Sequence, residues 1–295
     1  MRTRHVLTVL LLALAVVNRV GADALDAEEI ASITGLEPEV KDGVVRVSVP
    51  RDDLGVVADG VTMQPFQGLT SWAAFQRAGD ATTVMGDLTL AQDEVNPTMS
   101  AALDGGLEVT ALHNHFFFER PRVFFMHIGG TGTTAQLATG VRKALDAARS
   151  VRAGAKVPTE GFGGPAIPAA STIDPKPLEA ILGASGQTKN GMVKFVLGQT
   201  TAMHGTELGA AMGVNTWAAF AGSPETAVVD GDFAMLEDEL QGVLKALRGA
   251  AVDVVAIHSH MTHEQPRIVF LHFWGKGAAV ELARGLRKAL DTQRK

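Results

Sequence analysis

The sequence predicts an α+β protein built from two tandem homologous repeats, and three observations lead to this prediction. The chain matches itself at an offset of about 145 residues, which indicates a duplicated structural unit. Within each copy, strand-like segments follow one another with helices between them. This order favours a mostly antiparallel sheet with helices on one face over a doubly wound parallel sheet. The composition, 46% hydrophobic and 20% charged over 295 residues, provides ample material for a core.

The duplication also sets the domain boundaries. We place repeat 1 at residues 23–150, a Pro/Gly-rich linker at 151–170 and repeat 2 at 171–295. Each half is short for an independent domain, so we expect the copies to pack as a pseudo-symmetric pair. The segments that match are Trp72-Ala73-Ala74-Phe75 with Trp217-Ala218-Ala219-Phe220, Gly86-Asp87 with Gly231-Asp232, His113-Asn114-His115 with His258-Ser259-His260, and Arg142-Lys143-Ala144-Leu145 with Arg287-Lys288-Ala289-Leu290.

The first half of copy one is predicted as a helix, two strands and a second helix. The first helix covers 27–34, and a strand at 44–49 follows because its apolar residues alternate. Residues 72–75 are apolar and fit either state. A strand at 81–90 leads into a helix at 94–103, for which Asp93 is a suitable N-cap and Gly105-Gly106 a stop.

The second half of the copy is predicted as a β-hairpin and a closing helix. Residues 107–118 are strand-like, Pro121 marks a turn, and a second strand at 122–128 ends at Gly129-Gly130. A helix at 134–148 follows, because Leu137, Val141 and Leu145 recur at helical spacing.

The N-terminal residues predict an export signal rather than a part of the fold. Arg2 and Arg4 give the chain a short basic start, residues 6–17 form an apolar run too short to span a bilayer, and Ala22 or Ala24 provides a cleavage site. We therefore expect residues 1–22 to be a signal peptide and the mature protein to be periplasmic or secreted. No Cys follows the apolar run, so we expect neither a lipid anchor nor a membrane span in the mature chain.

The composition limits the chemistry that the protein can perform. The chain has no Cys, which excludes disulfides, thiolate zinc sites, Cys nucleophiles and Fe–S clusters. A formal net charge of −6 argues against a nucleic-acid partner. No feature indicates a nucleotide or a haem, and the Gly-rich run 161–164 lacks the Lys and Ser/Thr of a phosphate loop. A metal site in this chain must use His, Asp or Glu.

The histidines point to such a metal site. Seven of the nine lie in the windows 113–127 and 258–272, and both windows have the pattern His-x-His-x3-Glu-x7-His. Strand residues two apart share a face at about 6.6 Å, and a turn near 119–122 would place His113 across from His127. The sequence therefore predicts a three-histidine site for a divalent metal in each copy, zinc before others, with one coordination position open. The predicted ligands are His113, His115 and His127 in copy one and His258, His260 and His272 in copy two.

Glu119 and Glu264 are the candidate catalytic residues, and Arg122 and Arg267 are the candidate substrate-binding residues. Four extended residues separate His115 from Glu119, about 13 Å. We therefore expect Glu119 at the rim of the site as a general base, unless the turn begins earlier or the other copy supplies the Glu. Each Arg follows a Pro in a turn, where a solvated or carboxylate-paired Arg is the commoner role.

Other repeated residues have structural interpretations. A metal-free polar cleft and a buried hydrogen-bond network are the alternatives to the metal site itself. His263 and Ser259 stand where copy one has Phe118 and Asn114, so the two sites are expected to differ, one functional and one structural. The remaining pairs are Asp87 and Asp232 as turn residues, Glu94 and Glu239 as acids favoured by a helix dipole, and Trp72 and Trp217 as core.

Several of these motifs together resemble a known family. They are Gly86-Asp87-Leu88, Asp93 to Pro97, Leu107 to His115 and Pro121 to His127 in copy one, and Ile257 to His260, Glu264 to Arg267 and Leu271 to Trp274 in copy two. This doubled pattern resembles the LppY/LpqO family of bacterial exported proteins and lipoproteins over nearly all of the mature chain. It departs from that family at Ser259 and in having no lipidation Cys. The resemblance implies a duplicated exported domain and assigns no activity.

Three functions are consistent with these residues. The first is a divalent-metal-dependent hydrolase that acts on an exported small molecule or an envelope component. The second is a non-enzymatic periplasmic protein that binds a metal ion or another ligand. The third is a structural envelope protein in which the histidines belong to the core.

Overall fold

A computed structural model describes residues 25–294, so the predicted signal peptide at 1–22 lies outside the described residues. Copy one contains α1 (Ala27–Thr34), β1 (Pro38–Lys41), β2 (Val44–Pro50), β3 (Val57–Ala58), β4 (Val61–Thr62), β5 (Thr70–Ala78), β6 (Ala81–Ala91), α2 (Val95–Asp104), β7 (Glu108–His113), β8 (Val123–Gly132) and α3 (Thr134–Gly154). Copy two contains α4 (Pro175–Leu182), β9 (Gln187–Lys189), β10 (Met192–Gly198), β11 (Thr201–Met203), β12 (Thr206–Leu208), β13 (Asn215–Gly222), β14 (Ala227–Leu236), α5 (Leu240–Gly249), β15 (Asp253–His258), β16 (Glu264–Gln265), β17 (Ile268–Gly277) and α6 (Ala279–Leu290).

One antiparallel sheet of 12 strands runs through both copies, in the order β1-β2-β5-β6-β8-β7-β15-β17-β14-β13-β10-β9. The order of equivalent strands is the same from either edge, and the central strands β7 and β15 pair at Leu112 and Ile257. The predicted α+β class, with two tandem repeats packed as a pseudo-symmetric pair, is confirmed. Among the described residues, no helix is both long and apolar enough to cross a membrane.

The six described helices pack on one face of this sheet. Each helix contributes buried side chains to one hydrophobic core, for example Ile30 from α1, Val141 from α3 and Leu178 from α4. The strands contribute alternate residues, such as Val84 and Leu88 of β6. Because this core includes residues of both copies, each copy completes the core of the other.

Several elements are longer or shorter than the sequence predicts. Residues 72–75 lie within β5, and β8 continues through Gly129 and Gly130, which pair with Met85 and Val84 of β6. The helix predicted at 134–148 extends to Gly154, starting from a capping box between Thr133 and Gln136. The strand predicted at 107–118 ends at His113, because the following loop crosses to β3 instead of turning tightly. There, Val57 and Arg120 exchange backbone hydrogen bonds of 2.8 and 2.9 Å.

A buried ion network replaces the predicted N-cap of α2. Asp93 does not cap the helix; it pairs with Arg152 in the last turn of α3. Glu94 is fully buried and accepts hydrogen bonds from Arg51 at 2.9 and 3.0 Å and from Arg152 at 2.7 Å. Its acidic side chain therefore neutralises two buried guanidinium groups, a stronger reason for an acid than the helix dipole.

Two side-chain amides join the copies at the centre of the sheet. A β-bulge interrupts β7 next to Val109 and β15 next to Val254. The amide of Gln241 bonds to the N–H and C=O of Val109 at 3.0 and 2.9 Å, and the amide of Asn96 bonds to those of Val254 at 2.8 and 3.2 Å. Asn96 and Gln241 occupy equivalent positions, so this amide clasp obeys the pseudo-symmetry. Each copy satisfies backbone groups that the bulge of the other leaves without a strand partner.

Truncating either amide of the clasp should destabilise the protein. The backbone N–H and C=O groups of Val109 or Val254, which are buried, would be left without their hydrogen-bond partners. We expect Asn96→Ala and Gln241→Ala each to lower the free energy of unfolding by about 1–3 kcal/mol, measured by urea denaturation. Gln187→Ala, which removes an exposed amide from β9, is the control and should leave the midpoint unchanged. Equal midpoints for all three variants would contradict the role of the clasp.

Candidate metal centre

The repeated histidines lie on the face of the sheet opposite the helices, which we call the open face. Side chains alternate along a strand, so Leu112 and Met126 point into the core beneath the helices while His113 and His127 point the other way. The predicted shared face of the histidines is therefore present.

In copy two, three neighbouring strands and the loop after β15 bring a carboxylate and three imidazoles together. Asp232 of β14 pairs directly with His272 of β17, and His258 of β15 lies beside them. The donor atoms of Asp232, His258 and His272 all lie within 4.8 Å of one another. The Nε2 of His260 is 3.1 Å from the Nε2 of His258 and 3.2 Å from Oδ2 of Asp232. We call these four residues the copy-two cluster.

Neighbouring groups orient the members of the copy-two cluster. The Nδ1 of His272 donates to the carbonyl oxygen of Gly231 at 3.2 Å, which leaves its Nε2 with a free lone pair. The ring of His260 stacks on Phe270 at 3.5 Å. Gly231 itself is required, because a Cβ there would clash with the ring of Phe273 and the carbonyl of Trp217. Gly231 thus permits close packing on the helix-covered face of the sheet, and Asp232 places a carboxylate on the open face.

The electrostatics of the copy-two cluster favour neutral imidazoles at His258 and His260, because burial lowers the pKa of both. Burial, and after it the neighbouring His272 and His260, lower the pKa of His258 to about 4. Burial raises the pKa of Asp232 to about 6, although His272 acts in the opposite direction. The Oδ1 of Asp232 is buried and has no hydrogen-bond partner among the described residues. A cation would compensate both the buried carboxylate and this orphaned oxygen.

Copy one assembles the same residue types less compactly. We call Asp87, His113, His115 and His127 the copy-one cluster. The Nε2 atoms of His113 and His127 are 3.0 Å apart, Asp87 pairs with His127, and His115 stacks on Phe125 at 3.3 Å. Within residues 25–294, however, the set of three ligands with donors inside 4.8 Å of one another occurs in copy two alone.

The register of the histidine hairpin differs from the prediction by two residues. His113 pairs with Phe125 and His127 with Ala111, so the two histidines are diagonal neighbours on the open face. The cause is the wide loop at 114–122, which is held by the Val57–Arg120 bridge rather than by a tight turn. Because the shift is an even number of residues, His113 and His127 still lie on the same face of the sheet and their imidazoles remain in contact.

Both candidate catalytic residues are buried. Neither belongs to the copy-one cluster or the copy-two cluster. Glu264 is buried, and its carboxylate accepts a 3.3 Å hydrogen bond from the N–H of Ile268. Glu119 is also buried, and its Oε1 has no hydrogen-bond partner among the described residues. Glu119 lines a cleft of about 730 Å³ together with the exposed Arg122 and linker residues 156–160.

Arg267, the other candidate substrate-binding residue, lies at the surface. Its guanidinium is 3.8 Å from Glu237, and both side chains are more than half exposed, so this ion pair contributes little to stability. Arg267 and His258 both line a cleft of about 510 Å³ at the junction of the copies.

Sequence reasoning missed Asp87 and Asp232, which it interprets as turn residues. Both lie inside strands on the open face, directly across from a histidine. The signal for them was the recurrence of Gly-Asp within two apolar segments of strand length. The interpretation of the tryptophans as core is also wrong, because Trp72 and Trp217 are half-buried and carry Arg46 and Lys194 over their rings at 4.2 and 4.3 Å.

Comparison with known proteins identifies the duplicated unit. The family model described as Domain of Unknown Function (DUF1259) matches residues 28–147 and again residues 176–292. No curated protein matches the sequence. Among solved structures, the trimeric bacterial microcompartment shell protein PduB is similar at 15% identity over 86% of this chain and 89% of that chain, with a TM-score of 0.20.

Replacing Asp232 should stabilise the metal-free protein at neutral pH. The folded state raises the pKa of Asp232 from 3.8 to about 6, so its contribution to stability is present below pH 3.8 and is lost as the pH rises through about 6. Asp232→Asn has no charge to bury, and we expect it to raise the free energy of unfolding at pH 8 by about 1–3 kcal/mol. Urea denaturation in EDTA measures this.

The control for Asp232→Asn is the same pair of proteins at pH 4, where their stabilities should converge. Comparing the variant with wild type also cancels the opposite trend from His258, whose lowered pKa favours folding at higher pH. A variant that is less stable than wild type at pH 8 would contradict the electrostatic account.

Proposed function

Because the chain belongs to the family described as Domain of Unknown Function (DUF1259), whose description names no activity, we propose a function from the site alone. The protein is proposed to be an exported, divalent-metal-dependent hydrolase, with the copy-two cluster as its metal site and zinc as the first candidate ion. The observation that carries this proposal is the convergence of Asp232, His258 and His272 within 4.8 Å. Export and the assignment to the LppY/LpqO family are supported by the sequence patterns given above.

The spacing within the copy-two cluster suits a small divalent ion. Tetrahedral zinc with bonds of about 2.0–2.1 Å separates its ligand atoms by about 3.3 Å. The separations from His260 to His258 and Asp232, 3.1 and 3.2 Å, are close to that value. Three ligands from Asp232, His258 and His272 leave a position open for substrate, as catalytic sites require, and His260 lies close enough to serve as a fourth.

Hydrolysis is favoured over simple storage of an ion by the cleft beside the cluster. His258 forms part of its wall, and Arg267, the candidate substrate-binding residue, lines the same cleft. A bound ion would supply Lewis-acid chemistry, and Glu264 is the proposed proton acceptor.

A non-enzymatic metal-binding protein is the second candidate, and a specific contact favours it. The carboxylate of Glu264 is buried and already accepts the N–H of Ile268, which limits its freedom as a base. Assays with chromogenic ester and phosphodiester substrates separate the two candidates. Turnover by zinc-loaded protein that His272→Ala abolishes favours the hydrolase, whereas saturable zinc binding without turnover favours the carrier.

Removing one ligand of the copy-two cluster should weaken metal binding by about a hundredfold or more, because each supplies a direct bond to the ion. Isothermal titration of chelator-stripped, untagged protein with zinc, manganese, nickel and copper measures the affinity of wild type, His258→Ala and His272→Ala. His113→Ala, the counterpart in copy one, and His263→Ala, outside the cluster, are the controls and should bind nearly as wild type does. Absence of saturable binding of any of these ions at neutral pH would end the proposal.

Metal affinity should also fall as the pH decreases through about 6. Binding requires neutral imidazoles and an ionised carboxylate, and the pKa of Asp232 is about 6. We expect zinc to bind wild type at least tenfold more weakly at pH 5.5 than at pH 7.5, a figure of about 1.4 kcal/mol. Asp232→Asn should bind weakly at both values, and a pH-independent affinity in wild type would exclude Asp232 as a ligand.

A further inference from the structure

Two pseudo-symmetric clefts flank the amide clasp, and they differ in how they are bordered. We call the first, of about 470 Å³, the linker cleft. We call the second, the cleft of about 510 Å³ that His258 and Arg267 line, the open cleft. Their walls are built by equivalent residues: Gln92, Asp93, Val95, Asn96, Phe124, Asp253 and Val255 in the linker cleft correspond to Glu237, Asp238, Leu240, Gln241, Val269, Glu108 and Thr110 in the open cleft.

In the linker cleft, the chain's own linker forms one wall through residues 159–162. The N–H of Thr159 donates to Oδ2 of Asp93 at 2.9 Å. The ring of Phe162 stacks on Trp274, with centroids 6.1 Å apart. An irregular, Gly-rich polypeptide segment therefore borders this cleft, held by a carboxylate through its backbone and by an aromatic contact.

The walls of the open cleft come from the two copies, and no linker residue borders it. In addition to the equivalent residues, Ile257, His258, Ser259 and Arg267 extend this cleft to the copy-two cluster. Within residues 25–294, the lining of the open cleft includes no segment equivalent to the linker.

The open cleft also carries an excess of negative charge. Its lining contains Glu108, Glu237 and Asp238; Arg267 lies 3.8 Å from Glu237 and Arg294 pairs with Asp238, whereas Glu108 makes no ion pair among the described residues. The counterpart of Glu108 is Asp253, which bonds to Arg248 at 2.6 Å. The residue equivalent to Arg248 in copy one is the apolar Leu103, so the sequence provides no corresponding cation for Glu108. A basic occupant would complement these carboxylates.

We propose that the open cleft binds an extended basic segment of a partner polypeptide, in the place that the linker takes in the linker cleft. The segment carries a Lys or Arg side chain toward Glu108 and Glu237 and offers a backbone N–H to Asp238. Binding does not require the metal ion. Whether the bound segment is cleaved rests on the proposed function. A peptide in this cleft reaches His258, and it would be the substrate if the protein is a hydrolase.

The probe is a fluorescein-labelled peptide with the sequence of residues 156–165 and the change Glu160→Lys, which gives the linker segment an added positive charge. Fluorescence anisotropy at low salt, in EDTA and again with zinc, should show saturable binding to the full-length mature protein. The peptide with Glu160 unchanged should bind about tenfold more weakly, and added salt should weaken both.

Matched variants of the protein locate the binding site. Thr110→Trp fills the open cleft and should lower the affinity at least tenfold. Val255→Trp, the same change at the equivalent position of the linker cleft, should leave the affinity unchanged. Glu108→Lys should lower the affinity about tenfold, and Glu39→Lys, on an exposed edge strand, is its charge control. Thermal melts confirm that each variant is folded.

Two outcomes would overturn the proposal. One is the absence of saturable binding of the basic peptide to wild type, and the other is an equal loss in Thr110→Trp and Val255→Trp. Zinc titration of the same samples keeps the two proposals separate. Peptide binding without zinc binding contradicts the metal-dependent function alone, and zinc binding without peptide binding contradicts the peptide cleft alone.

Discussion

The amide clasp is the contact on which the rest of the structure depends. A bulge lets Val109 and Leu112, three residues apart, both face the helices, and this places His113 on the open face. The bulge also removes ladder partners from the backbone at the centre of the sheet, where water cannot replace them. The side-chain amide of the other copy takes over those hydrogen bonds. Continuous sheet, shared core and junction clefts all follow from this exchange.

The open face carries ionisable groups that lower the stability of the metal-free fold, which a purely structural sheet would not contain. Asp232 is 2% exposed, and burial, with the charges of the nearby His272 and His260, lowers the pKa of His258. Groups arranged this way destabilise the metal-free fold and favour an ion, the usual trade between stability and function. The helix face beneath is apolar and closely packed, with Gly231 allowing strands and Phe273 to approach. It supplies the rigidity that keeps the imidazoles in place.

Much of this arrangement could be predicted from the sequence, because periodicity and repetition are local signals. The duplication, the fold class and the shared face of the histidines follow from the 145-residue offset and from the parity of His113, His115 and His127. What escaped prediction depends on contacts distant in the chain. Asp232 becomes a candidate ligand only when β14 pairs with β17, and the role of Glu94 requires Arg51 and Arg152 from two other elements. No local pattern contains that information.

The two copies differ because each satisfies one buried acid in a different way. Glu94 is neutralised by Arg152, whose helix leads directly into the linker, and the linker then runs along the nearest cleft. Glu239, its equivalent, accepts instead the N–H of Arg294 at 2.7 Å and the amide of Gln293 at 3.2 Å, after α6. Gln199 stands at the position of Arg51 there, so no second buried guanidinium needs a partner. The linker therefore leaves α3 beside the buried carboxylate of copy one and borders the cleft next to it, whereas no linker residue lines the cleft beside the copy-two cluster.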